Sequence, residues 1–194
     1  DYNLTVRNVW DLELILADDT TKAGQPIEMT VQLVSEDGEI KPIENWSLGS
    51  NVEERIQYNR ISVTPTIGGA HQLTASGSLG DFEYTAEASL NVEAGAAYTV
   101  DLDLSDHGML AGEQLEWSIS ASDQWGNAID TTGLLPSVET TDLIVSDTEI
   151  TTTVPGTYRV TAQLEEATDQ EIFIVAPAVP VAIDLTLNNP TPEL

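Results

Sequence analysis

Ala23-Gly24-Gln25-Pro26-Ile27-Glu28-Met29-Thr30-Val31-Gln32-Leu33 returns as Ala111-Gly112-Glu113-Gln114-Leu115-Glu116-Trp117-Ser118-Ile119-Ser120-Ala121, a shift of 88 residues (111 − 23). In both copies a small-residue turn leads into a run whose apolar side chains occupy every second position: Ile27, Met29, Val31 and Leu33, then Leu115, Trp117, Ile119 and Ala121. Alternation of period two places those side chains on one face of an extended chain, the signature of a half-buried β-strand. The phase continues outward. Gly38 returns as Gly126, and Gly69-Ala70-His71-Gln72-Leu73-Thr74-Ala75 is answered by Gly156-Thr157-Tyr158-Arg159-Val160-Thr161-Ala162, 87 residues on (156 − 69). An apolar residue followed by Asp-Leu-x-Leu occurs at Trp10 to Leu14, Val100 to Leu104 and Ile183 to Leu187. A period near 90 residues is too long for a solenoid repeat and fits one small domain.

Further alternating runs, Phe82 to Val92 and Tyr158 to Leu164, are rich in residues that suit strands, and turn-forming groups such as Glu36-Asp37-Gly38, Trp125-Gly126-Asn127 and Val154-Pro155-Gly156 separate them. About seven short strands per period are expected, packed as an antiparallel sandwich. Asn51 to Ile61 is the exception, where Val52, Arg55, Ile56 and Asn59 allow one helical turn. The expected organisation is one domain over 1–97, preceded by a short segment 1–9, a second over 98–183, and a linker or the first strand of a truncated third repeat over 184–194. The short, Pro-bearing or small-residue stretches Glu93 to Ala97 and Ala176 to Pro180 read as semi-rigid linkers. Asn188 to Leu194 reads as a frayed end.

In the 194-residue chain, 6 Lys and Arg stand against 33 Asp and Glu, a formal net charge of −27. Such a field repels phosphate backbones and anionic lipid, which argues against a nucleic-acid partner. With no cysteine there is neither a disulfide nor a thiolate metal site. No run approaches 18 apolar residues, so no membrane insertion by this segment is expected.

The second period, with Leu110-Ala111-Gly112-Glu113, Asp123-Gln124-Trp125-Gly126-Asn127 and Pro155-Gly156-Thr157-Tyr158, resembles the bacterial immunoglobulin-like domains of the invasin and intimin type, and the first resembles them through the repeat. The resemblance implies an all-β chain of two tandem immunoglobulin-like β-sandwiches. It implies a non-catalytic spacer of a bacterial surface-exposed or secreted protein, extracellular, with neighbouring domains of a longer chain as partners and a share in adhesion. The alternative is a carbohydrate- or protein-binding accessory module of a secreted enzyme or adhesin. A sandwich fold hosts many tasks, so the residues must decide.

Tyr158 is placed like a tyrosine corner, its ring in the core and its hydroxyl on backbone, and His71 occupies the same slot. Trp117 reads as the central core aromatic of its domain. Trp125, in a turn, is the candidate binding residue for a surface protein or a glycan. No cofactor is expected; calcium is the rival reading of the acidity, with Asp101, Asp103 and Asp106 as its candidate ligands, since hard cations need six to eight oxygens. The simpler reading is a solvated acidic face. No nucleophile-elbow pattern surrounds His71 or His107, and a small sandwich offers little cleft for paired carboxylates, so no enzyme is expected.

Overall fold

The computed structural model describes residues 9–41, 43, 45–49, 53–57 and 60–180. The third copy of the Asp-Leu-x-Leu marker, the tail from Asn188 and nearly all of the segment 1–9 lie outside these residues. The chain divides into two compact units: unit 1 is the chain up to Thr99 together with Ala121–Asp130, and unit 2 is Val100–Ser120 together with the residues from Thr131 onward. Every described element is a strand.

Unit 1 contains β1 (Trp10–Leu16), β2 (Thr20–Lys22), β3 (Ile27–Ser35), β4 (Ile40–Lys41), β5 (Asn45–Gly49), β6 (Glu53–Gln57), β7 (Arg60–Thr64), β8 (Gly69–Leu79) and β9 (Phe82–Glu93). One sheet has the order β1-β3-β7-β6 with β4 on β3, the other β2-β9-β8-β5. Ile27, Met29, Val31 and Leu33 are all buried, and they share one core with Leu73, Ala75, Leu90 and Val92 of the second sheet. The helical turn expected near residues 51–61 is corrected here. Glu53–Gln57 is a strand in antiparallel register with Arg60–Thr64, because pairing along β7 satisfies its backbone groups where one isolated helical turn would not.

The second repeat supplies β10 (Thr99–Leu104), β11 (Gly108–Leu110), β12 (Gln114–Ser122), β13 (Ser137–Val138), β14 (Ile144–Val145), β15 (Glu149–Thr151), β16 (Gly156–Leu164) and β17 (Ala167–Ala176). They form sheets of order β10-β12-β15-β14 and β11-β17-β16-β13. Leu102, Leu104, Leu115 and Ile150 are buried from the first, Tyr158, Val160, Ala162, Phe173 and Val175 from the second. Trp117 is only half-buried, and its indole N–H donates to the Ser146 carbonyl at 3.2 Å. The central aromatic is instead Phe173, fully buried, its ring 5.7 Å from that of Tyr158. A large indole with a polar N–H suits the margin of a sheet better than its middle.

The sequence repeat is a repeat of hydrogen bonds. Gly24 N–H donates to the Pro65 carbonyl and Gly112 N–H to the Thr152 carbonyl, both at 2.7 Å; Ala23 N–H reaches the Glu93 carbonyl and Ala111 N–H the Ala176 carbonyl, both at 2.8 Å. Both glycines have positive φ, +78° and +93°, which explains their recurrence. The corner expectation also holds in both copies: Tyr158 donates its hydroxyl to the Val154 carbonyl at 2.8 Å, and His71 Nε2 lies 2.8 Å from the Ile67 carbonyl, four residues back in each case. Emptying the Phe173 site should therefore cost about 3–5 kcal/mol and Trp117→Ala clearly less. Denaturant melts of the two alanine variants in the reverse order would overturn this assignment of the core.

Candidate functional site

The loop Ser122–Ala128 leaves β12 and is closed by a bridge between those two residues. At its root the Asp123 N–H donates to the Asn127 carbonyl, and the Gly126 N–H to the Asp123 carbonyl, a tight turn that needs the positive φ of Gly126, +84°. The turn aims the Asp123 side chain inward, where it is 2% exposed. A carboxylate removed from water must find donors, and this one finds four. Its Oδ1 accepts the N–H groups of Trp125 and Asn127, each at 2.9 Å, and its Oδ2 accepts the Gly95 N–H at 2.8 Å and the Asn127 side-chain amide at 2.7 Å.

Asn127 extends the network within unit 1. Its Oδ1 accepts the Gly68 N–H at 2.7 Å, and its Nδ2 also donates to the Thr66 carbonyl at 2.8 Å. Trp125 completes it by packing. A Cβ built on Gly24 would overlap the Trp125 ring, and one on Gly95 would lie 3.1 Å from Trp125 Cζ3 and 3.2 Å from the Ala23 carbonyl oxygen. Two glycines thus form the seat of the indole. The ring remains 40% exposed, so one edge faces solvent.

Burial works to raise the pKa of Asp123, and the hydrogen bonds from the Asn127 amide and from the N–H groups of Gly95, Asn127 and Trp125 outweigh it, so the carboxyl is held below its ordinary value. In sequence Asp123 only precedes the turn Trp125-Gly126-Asn127; the fold brings Gly95, 28 residues away, to its second oxygen.

The acidic trio is arranged differently. Asp101 and Asp103 are exposed on β10, with Leu102 and Leu104 buried between and after them, and exposed Asp106 accepts the N–H of His107 at 2.6 Å. Among the described residues no three His, Asp or Glu side chains gather where one metal ion could sit. His107 Nε2 is 3.2 Å from Glu171 Oε2 on an exposed surface.

No protein-family model matches the chain, and no curated protein matches it in sequence. In three dimensions it is similar to invasin, described as a bacterial integrin-binding protein (TM-score 0.61, 13% identity, 89% of this chain and 42% of that one). It is also similar to the Escherichia coli adhesin FdeC (0.56, 16%, 85% and 64%) and to the EC3-6 segment of protocadherin gammaB7 (0.51, 12%, 87% and 51%). The chain thus spans less than two thirds of each. The fold is that of the bacterial immunoglobulin-like domains, two sandwiches in tandem, as the sequence led one to expect.

Two outcomes test this geometry. Because the folded-state pKa of Asp123 is depressed, its stabilisation is full above the unfolded-state value of about 3.9 and is lost as pH falls through the folded value. Asp123→Asn should abolish that part of the acid dependence of the melting temperature. Gly24→Ala should cost about 1–2 kcal/mol for its backbone alone, and more when Trp125 is present than in a Trp125→Ala background. Equal costs in the two backgrounds would place the ring elsewhere.

Proposed function

We propose that this chain is a non-catalytic spacer of a bacterial surface-exposed protein, its modules serving to project other domains of the same longer chain. The observation that carries this reading is the use made of Asp123, Trp125 and Asn127. The side chains best suited to hold a ligand are engaged in fixing the chain's own loop to Thr66, Gly68, Gly95 and the Gly24 seat. The likeness to FdeC, an adhesin, and to invasin, an integrin-binding protein, supports a place on the bacterial cell surface. The surface chemistry agrees. The ion pairs described, Lys41–Glu39 at 3.4 Å and the His107–Glu171 contact, lie at the solvent-exposed surface. A large negative charge keeps such a module soluble and discourages association with its own kind.

A second reading rests on the exposed edge of Trp125, a ring that could lie against a sugar or a partner protein. The two separate cleanly. The purified chain, screened against a glycan panel and an integrin ectodomain, should show no saturable binding; binding lost in Trp125→Ala would establish the second reading. Replacing the segment, in its parent protein, with an unrelated pair of sandwiches should leave the function of the projected domain intact. For Asp101, Asp103 and Asp106 we propose a solvated face, so millimolar calcium added at constant ionic strength should leave the melting temperature unchanged. A saturable rise, absent in Asp101→Asn/Asp103→Asn, would overturn that.

A further inference from the structure

The outward face of β11, β17 and β16 in unit 2 differs from the equivalent face of unit 1. Register fixes the correspondence: Tyr158 pairs with Phe173 as His71 pairs with Leu90, and the Ala111 N–H bonds the Ala176 carbonyl as the Ala23 N–H bonds the Glu93 carbonyl. Counted from these anchors, Gly108, Leu110, Ile172, Ile174 and Ala176 stand where unit 1 has Thr20, Lys22, Ser89, Asn91 and Glu93. The unit 1 face is polar, and Ser89 Oγ donates across the strands to Gln72 Oε1 at 3.1 Å. In unit 2 Ile172 is 48% exposed and Ile174 59%, because the inward parity of Phe173 and Val175 turns their neighbours to the outside. The fold is made with either surface, so core packing does not explain the apolar one. Gly108 deepens the patch. It lies in register with Ile174, and a Cβ built there would have the Ile174 carbonyl oxygen, at 3.7 Å, as its nearest contact, which leaves the position open to a guest.

The charge of this face is also distinct. Gln72 of unit 1 is replaced by Arg159, which is exposed and is the cross-strand partner of Ile172. The whole chain holds 33 Asp and Glu, yet among the described residues of β11, β16 and β17 none takes an outward position, Asp169 and Glu171 having the inward parity of Phe173. We propose that this face is a docking surface for a short extended segment of another protein, which lays an aliphatic or aromatic side chain on Ile172 and Ile174 and sets a carboxylate against Arg159. Charge argues for the carboxylate, since no acid on the face competes for the guanidinium. The field of the more distant acids is screened over about 8 Å at physiological salt, so the local cation decides. Size argues for a short segment. Apolar patches of about 300–600 Å² are often functional on single chains, whereas a standard interface between globular partners takes about 800 Å² from each. A second copy is disfavoured on both counts, because two chains of net charge −27 repel. The inference goes beyond the spacer reading: a module can carry a docking site on its flank while it projects its neighbours.

The test takes the whole chain and a display library of random peptides. Selected peptides should carry an aliphatic or aromatic residue close to Asp or Glu, and their binding should shift the methyl resonances of Ile172 and Ile174. Ile172→Ser with Ile174→Asn installs the residues of unit 1 and should weaken these peptides by about tenfold or more. Arg159→Gln, again the unit 1 residue, should weaken them by about threefold, and should have no effect on peptides whose carboxylate is replaced by an amide. Circular dichroism of each variant controls for folding. A selection that yields no binder, peptides that bind the double variant as tightly as the unaltered chain, or binders rich in Lys and Arg would overturn the proposal. Methyl shifts in the chain alone that grow with its concentration would also overturn it, because a second copy would then be the occupant. None of these outcomes bears on the segment replacement that tests the spacer reading.

Discussion

A carboxylate with 2% of its surface in water must have its charge answered by fixed donors, and Asp123 is where this chain meets that requirement. Three of its four donors come from its own turn and the fourth from Gly95, so the demand of one buried charge is met only when residues far apart in sequence are brought together. Once they are, the consequences cascade. The turn is rigid, Asn127 is oriented toward Thr66 and Gly68, and the indole of Trp125 is delivered onto two glycines whose missing side chains are what make room for it. Breaking the centre would release more than one hydrogen bond, since groups in one network do not contribute independently.

The same turn backbone exists at Ser35 to Glu39, and it shows what the side chains add. Ser35 N–H donates to the Glu39 carbonyl and Gly38 N–H to the Ser35 carbonyl, the bonds made by Asp123, Asn127 and Gly126. Ser35 is likewise buried, and its Oγ accepts the Glu39 N–H at 3.0 Å. A hydroxyl can close the turn but cannot gather four donors. With Asp37 and Glu39 where the other copy has Trp125 and Asn127, the first turn is an acidic surface loop. One backbone motif thus serves twice, and three substitutions decide whether it merely caps a strand or fastens a loop.

The fold was legible because its signals are local. Period-two alternation over Ile27 to Leu33, glycines at positions that need positive φ, and a polar ring at His71 and Tyr158 each constrain a few neighbouring residues, and the offset of 87–88 links them. What escaped was non-local. Phe173 lies in Ile172-Phe173-Ile174-Val175, an unbroken apolar run whose parity sequence cannot assign, and only pairing with β16 turns Phe173 inward and leaves Ile172 and Ile174 exposed. Trp117 has the right parity for the core, but alternation fixes the face and not the distance from the sheet's margin. Asp123 looked like any turn aspartate because the donor that makes it special belongs to Gly95.

The central claim is that one carboxylate organises the loop, and amide hydrogen exchange in Asp123→Ala tests it most directly. In the unaltered chain the N–H groups of Gly68, Gly95, Trp125 and Asn127 should be protected together. In the variant all four should lose protection in concert, Gly68 included, although it touches Asn127 and not Asp123. If Gly68 and Gly95 kept their protection while only Trp125 and Asn127 exchanged faster, Asp123 would be a local turn residue and the account would be wrong.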